Sequence, residues 1–308
     1  MSALLTSTAR TVTVPGSVDL AVHDSTGDAD GPPVVLLHGL ASTHRWWGLV
    51  AARLAGRRVV RFDHRGHGQS STPPDGYTIG AFADDTVAVL DALDTGRCLV
   101  AGHSFGAAVA MEVAARRPDL VAGLCLVDGG IYDPRILFGD NWWDARYRML
   151  LDRRIAPTPA MLTAWATGRG LPAAAIPALL ANYQPDPAAG HPADKDLAEP
   201  TDPGTGPVRL RLAVEHEVHA ARSLWSHEPA AVLATLRAPT VAVLARPGDP
   251  ASAALHLRAL LATFDQAGRT VPVQWLDGGH DLPLEHPDQV AAAIAGLAGT
   301  DAQARGTR

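Results

Sequence analysis

Four short, almost unbroken apolar runs punctuate the first 130 residues: Val34 to Leu37, Val59 to Phe62, Leu99 to Ala101 and Leu124 to Val127. A strand that is apolar at nearly every position, rather than at every second one, is buried on both faces. Such runs alternating with helical patterns predict a mainly parallel sheet covered by helices on both sides. Thr11 to Val14 and Val18 to Val22, on either side of Pro15-Gly16, predict an antiparallel hairpin at the sheet edge. Ala83 to Leu93 reads as a helix, with Val87, Leu90 and Leu93 on one side and Asp84, Asp85 and Asp91 on the other. A second helix runs from Phe105 to Arg117; Pro118 stops it, and Arg116 and Arg117 suit the negative end of its dipole.

After Asp128 the pattern changes. Residues 131–235 hold no buried-strand run, only Trp- and Ala-rich helical stretches broken by Pro157, Pro159, Pro172 and Pro177. Within them Gln184 to Pro207, dense in Pro, Gly and Asp, predicts an exposed loop, and Val208 to His227 a helix. Strand runs return at Thr240 to Ala245 and Val271 to Leu276, followed by helix candidates at Ala251 to Phe264 and Glu285 to Leu297. The chain therefore divides into one α/β core (1–130 and 236–298), a helical insertion (131–235) and a short flexible tail (299–308).

Composition removes several classes. The formal charge of −6 gives no electrostatic reason to bind nucleic acid or anionic lipid, and Lys195 is the sole lysine. Cys98 and Cys125 both sit in apolar runs, so neither a disulfide framework nor a Cys-rich zinc site is built from them. No apolar run approaches the ~20 residues that span a bilayer, and Met1 to Arg10 lacks the pattern of a secretory signal. The expectation is a cytoplasmic monomer or homodimer with no membrane or nucleic-acid partner.

The chemistry gathers at Gly102-His103-Ser104-Phe105-Gly106, where a strand ends and a helix begins. In such a turn the glycines let strand and helix approach closely, and the serine is held in a strained conformation above the sheet. Ser104 is the candidate nucleophile. A hydroxyl needs a base within reach and an acid to orient it. His280 suits the base, because it lies in Asp277-Gly278-Gly279-His280, past the last strand and on the side of the sheet where sites form. Asp249 is the preferred acid, since it comes after Thr240 to Ala245 and gives the chain order Ser, Asp, His. Asp128 competes, because it also ends a strand. For the oxyanion, backbone N–H groups of Phe105 and of Leu40, in the loop His38-Gly39-Leu40, are the candidate donors.

Taken together, His38-Gly39, Asp63 to Ser70, Gly102 to Gly106, and Gly278-Gly279-His280 with Pro283-Leu284-Glu285 shortly after resemble the motif series of the α/β-hydrolase superfamily. The resemblance spans about residues 11 to 298 apart from the insertion. It implies a mostly parallel eight-stranded sheet, a catalytic domain and a helical cap over the substrate pocket. It also implies that His64 and His67 are framework rather than catalytic. Epoxide hydrolases and haloalkane dehalogenases of the superfamily carry aspartate at the nucleophile position, so Ser104 argues against both. A haloperoxidase side activity remains among the superfamily's options.

Glu215-His216-Glu217-Val218-His219 places its histidines three apart, not the four of zincins, and no second motif accompanies it; no metal or organic cofactor is implied. His44, Trp46, Trp142, Trp143 and Trp225 are candidates for the substrate pocket, whose aromatic character favours a small apolar molecule. Arg45 and His44 could meet a small carboxylate. The expected activity is hydrolysis of a carboxylic ester, lactone or thioester through an acyl-enzyme. The alternatives are a carbon–carbon bond hydrolase, an amidase or a rearrangement enzyme on the same fold, and a ligand sensor with little turnover.

Overall fold

The apolar runs become neighbours in one sheet. The structure, a computed structural model, describes residues 7–25, 27, 31–54, 56–150, 157–186 and 206–306. Strands β1 (Ser7–Val14), β2 (Val18–Ser25), β3 (Val34–Leu37), β4 (Val59–Phe62), β5 (Cys98–His103), β6 (Val121–Val127), β9 (Thr240–Arg246) and β10 (Val273–Asp277) form an eight-stranded sheet in the order β1-β2-β4-β3-β5-β6-β9-β10. Only the predicted edge hairpin runs antiparallel: β1 to β2, and β2 to β4. This is the α/β-hydrolase architecture.

Strand alternation divides the core between two faces. Val35, Leu37, Val60 and Phe62 point to one, where α2 (Ile79–Ala92), α3 (Phe105–Arg116) and α10 (Pro250–Ala267) cover them. Val34, Leu36, Val59 and Leu99 point to the other, against α1 (Gly48–Arg53) and α12 (Pro287–Gly306). Thr78 caps α2 by accepting from the Ala81 N–H, as the sequence before an amphipathic run requires. Phe82 of α2 meets Phe105 of α3 edge-on at 5.0 Å, a geometry worth about 1 kcal/mol beyond burial.

Between β6 and β9 the chain adds α4 (Pro134–Phe138), α5 (Trp142–Met149), α6 (Pro159–Gly168), α7 (Ile176–Leu180), α8 (Val214–Trp225) and α9 (Pro229–Thr235). Leu162 and Ala166 of α6 and Ala178 and Leu179 of α7 bury themselves around Trp46 of the core and Leu284 of α11 (Leu282–Glu285). No described helix is long and apolar enough to cross a membrane.

The structure corrects three local expectations. Val208 to His227 is not one helix: β8 (Val208–Leu210) pairs antiparallel with β7 (Tyr183–Pro185), and α8 starts only at Val214. Three-residue strands carry too little alternation to be read. Most of the predicted loop, 187–205, lies outside the described residues, as do the last two residues of the predicted tail. The rest of that tail, to Gly306, continues α12, since nothing after Leu297 breaks a helix rich in Ala.

The third correction concerns Asp85, which is buried rather than solvated. It accepts two bonds from Arg65, at 2.7 Å from Nε and 2.6 Å from the guanidinium end, beneath the turn that carries Asp63 to Ser70. Removing one partner strands a buried charge. Asp85→Ala is therefore expected to cost about 3–5 kcal/mol in urea unfolding, whereas Asp84→Ala, at an exposed position of the same helix, shifts it by under about 1 kcal/mol.

Candidate active site

Ser104 stands between β5 and α3 with φ 55° and ψ −119°, a backbone conformation costly for any residue with a Cβ, about 1–3 kcal/mol. Close packing on both sides enforces it. A Cβ on Gly106 would fall 2.4 Å from the Leu37 carbonyl oxygen, so only glycine lets α3 start this close to β3. Phe105 opens α3, and its N–H, as the first of the helix, has no intrahelical acceptor.

His280 lies in the loop after β10. Its Nε2 is 2.8 Å from Ser104 Oγ and its Nδ1 2.7 Å from Asp128 Oδ2. The carboxylate fixes the tautomer: Nδ1–H donates to Asp128, leaving Nε2 to accept the serine proton. Partial desolvation of the half-exposed ring opposes its protonation, but the bond and charge of Asp128, with smaller help from Asp281 and Glu285, outweigh this and raise the imidazole pKa above its usual value.

The carboxylate beside His280 is thus Asp128, the alternative in the sequence, and not Asp249. Asp249 is the exposed N-cap of α10, where its Oδ2 accepts from the Ser252 N–H at 2.8 Å; this bond lowers its pKa. Pro250 at the first helical position completes an ordinary helix start. Asp128 sits at φ 44°, directly after β6, with its N–H donating to the Val243 carbonyl at 2.9 Å. Its Oδ1 accepts from the Ala245 N–H at 2.9 Å, and Tyr132 OH lies 3.5 Å away. Gly129 makes this placement possible, because a Cβ there would come within 2.4 Å of the Ser104 carbonyl oxygen.

Two groups to which the sequence reading gave no role of their own hold the His280 loop. His103, beside Ser104, donates from Nε2 to the His280 carbonyl at 2.8 Å; burial, with the nearby His280, pushes its pKa down to about 3, so it stays neutral. Glu285 accepts from the Gly279 N–H at 2.6 Å. The position of His103 inside the elbow motif was the only sequence signal for the first; for Glu285 it was the Pro283-Leu284-Glu285 match.

His38, His64 and His67 form a buried lattice under the loop His38-Gly39-Leu40. His38 Nε2 accepts from the His64 N–H at 3.0 Å, while its Nδ1 bonds the Gly39 carbonyl at 2.8 Å, and His67 Nε2 accepts from the Ala41 N–H at 3.1 Å. Leu40 lies between these anchors. Of the pocket candidates, Trp46 is buried and stacked 6.4 Å from His103. His44 points to Asp63, bonding Oδ1 at 2.8 Å. Trp142 and Trp225 pair at 5.9 Å within the insertion, and Trp143 is 69% exposed. His216 stacks flat on Tyr77 at 4.0 Å.

This geometry stands in a chain that belongs to the alpha/beta hydrolase family, whose model matches residues 34–293. An uncharacterized protein of Mycobacterium tuberculosis is 41% identical over 101 residues, 32% of this chain and 30% of that protein. "Probable oxidoreductase EphD" of the same organism is 32% identical over 302 residues, 92% of this chain and 48% of its own length. The chain thus spans less than half of these relatives. Among solved structures, E-2-(acetamidomethylene)succinate hydrolase superposes with a TM-score of 0.72 at 23% identity, covering 94% of this chain and 98% of that one. The thioesterase domain from the curacin biosynthetic pathway gives 0.68 at 19% identity, covering 94% and 99%. At these identities the two structures share the fold.

Proposed function

We propose that the protein is a serine hydrolase cleaving a carboxylic ester, lactone or thioester of a small apolar substrate. The observation that carries this reading is the unbroken chain Asp128–His280–Ser104, with both bonds under 3 Å. Ser104 Oγ attacks the acyl carbon as its proton passes to His280 Nε2. The imidazolium formed is stabilised by Asp128, whose own carboxylate is fixed by the Ala245 N–H. The carbonyl oxygen becomes an oxyanion facing the N–H groups of Leu40 and Phe105, each such donor contributing about 3 kcal/mol at the transition state. His280 then protonates the leaving alcohol or thiol. Water, deprotonated by His280 in turn, attacks the acyl-enzyme and releases the acid with Ser104 restored.

Residues 131–235 serve as the cap. Support comes from Trp46, which joins His103 to a cluster of α6 and α7 residues and so brings an apolar wall beside the nucleophile. Burial there, at roughly 25 cal/mol per Å², supplies binding without a charged partner.

The test is a panel of matched p-nitrophenyl ester, thioester, lactone, anilide and β-diketone substrates with product analysis. Multiple turnovers on the esters, thioester or lactone, above the anilide and diketone, are expected. Preferential cleavage of the diketone or anilide would replace this reading by carbon–carbon or amide hydrolysis. Saturable binding without turnover of any member would replace it by ligand sensing.

A further inference from the structure

The strongest unexplained feature lies away from the serine, where the β2–β4 pair of the sheet meets the insertion. A cavity of about 320 Å³ opens there, lined by His23, His44, Arg45 and Arg61 of the core and closed on the other side by Pro177 and Ala178 of α7. Its polar lining is entirely cationic or imidazole. His23 and Arg61 are register partners on adjacent strands, and His23 stacks on His44 with ring centroids 3.8 Å apart.

Arg61 reaches out of a four-residue strand otherwise made of Val and Phe, and its guanidinium lies half-buried against Gly48. Neither Arg61 nor Arg45 makes a hydrogen bond or salt bridge among the described residues. The nearby carboxylate, Asp63, is already used. It accepts from the His44 N–H and Nδ1 at 2.8 Å each and from the Gln69 N–H at 2.9 Å. Burial and then the charge of Arg45 lower the Arg61 pKa, and burial with His44 and Arg61 pushes His23 down to about 4. Two unpaired guanidiniums thus face a cavity beside a neutral imidazole that retains an N–H, and an anion between them would relieve their repulsion.

The location separates this cavity from the chemistry. Arg61 shares a register row with Leu36 and Ala101, two strands over, and Ser104 lies three residues further along. At about 4.8 Å per strand and 3.3 Å per residue, the two backbone positions are roughly 14 Å apart.

We propose that this cavity binds a small dianionic oxyanion, a phosphate monoester or a dicarboxylate, gripped by Arg45 and Arg61 between the His23–His44 stack and helix α7. The ligand bridges the core and the insertion, so its binding stabilises their junction as well as the core. The site is independent of the hydrolytic reading.

Calorimetric titration at pH 7 with inorganic phosphate, succinate and acetate, at ionic strength matched with chloride, tests it. Saturable binding of phosphate or succinate, at least tenfold tighter than acetate, is expected, and the tighter of the two dianions identifies the source. Arg45→Ala should weaken that binding at least tenfold; Arg45 is exposed, so its loss leaves the fold intact. Arg61→Met should do the same, while Ser104→Ala should bind as the unaltered protein does. Absence of saturable binding by either dianion, undiminished affinity in Arg45→Ala, or binding lost in Ser104→Ala alone would overturn the proposal. The last result would place the anion at the serine instead.

Discussion

Replacing Asp128 by Asn is expected to lower kcat on an activated ester by about 10⁴-fold, whereas Asp249→Asn leaves it within about threefold of the unaltered protein. The contrast arises from what each carboxylate touches. Asp128 accepts from His280 Nδ1 at 2.7 Å; Asp249 accepts from a backbone N–H at the start of α10. An amide at 128 can offer its NH₂ to Nδ1 and so favour the tautomer that carries the proton on Nε2, which cannot take one from Ser104. The pH profile separates this from simple damage. The Asp128 charge raises the His280 pKa, and the base works only when neutral, so the acid limb of the profile tracks that raised value. Removing the charge lowers the pKa, and the residual activity of Asp128→Asn should retain its acid limb at lower pH. An unchanged limb, or a large loss in Asp249→Asn, would show that the acid has been wrongly placed.

Ser104→Ala should remove turnover by 10⁴- to 10⁶-fold, about 5–8 kcal/mol of transition-state stabilisation. Stability should move the other way or not at all. Ser104 is held at φ 55°, and alanine carries the same Cβ strain but loses only one partly exposed hydroxyl. Unfolding free energies from denaturant titration should therefore agree within about 1 kcal/mol, and substrate affinity should survive. Residual turnover within a hundredfold would mean that Ser104 is not the nucleophile and that another group, or bound water, attacks.

The sheet was readable because buried parallel strands leave an unmistakable run of apolar residues, and the elbow because glycine alone fits between β5 and α3. That His280 comes to the side of the sheet where Ser104 stands was readable from its place past the last strand. Which carboxylate meets it was not, for a physical reason. Two aspartates follow neighbouring strands, Asp128 directly after β6 and Asp249 three residues past β9, and the residues immediately C-terminal to each make the difference between them. Asp249-Pro250 with Ser252 beyond is a helix start, which consumes the carboxylate in capping. Asp128-Gly129-Gly130 is a strand end pressed against the turn that carries Ser104, where a side chain at 129 would collide with Ser104. Chain order, which favoured Asp249, does not register that capping signal. Asp85 teaches a related lesson. It lies one turn from Phe82 and Val89 on the buried stripe of α2, and a carboxylate on such a stripe requires a cation, here Arg65 from twenty residues upstream. The cationic cavity at Arg45 and Arg61 is a product of register between β2 and β4 and of the approach of α7, neither of which a single chain of letters displays.

The most direct measurement is labelling with a fluorophosphonate and mass-spectrometric mapping of the adduct, on the unaltered protein and on His280→Ala. A nucleophile activated by His280 gives one adduct, on Ser104, whose rate falls by at least a hundredfold in His280→Ala while the fold persists. An unmodified Ser104, or a Ser104 that reacts equally fast without the imidazole, would contradict the assignment of this serine and histidine as a catalytic pair.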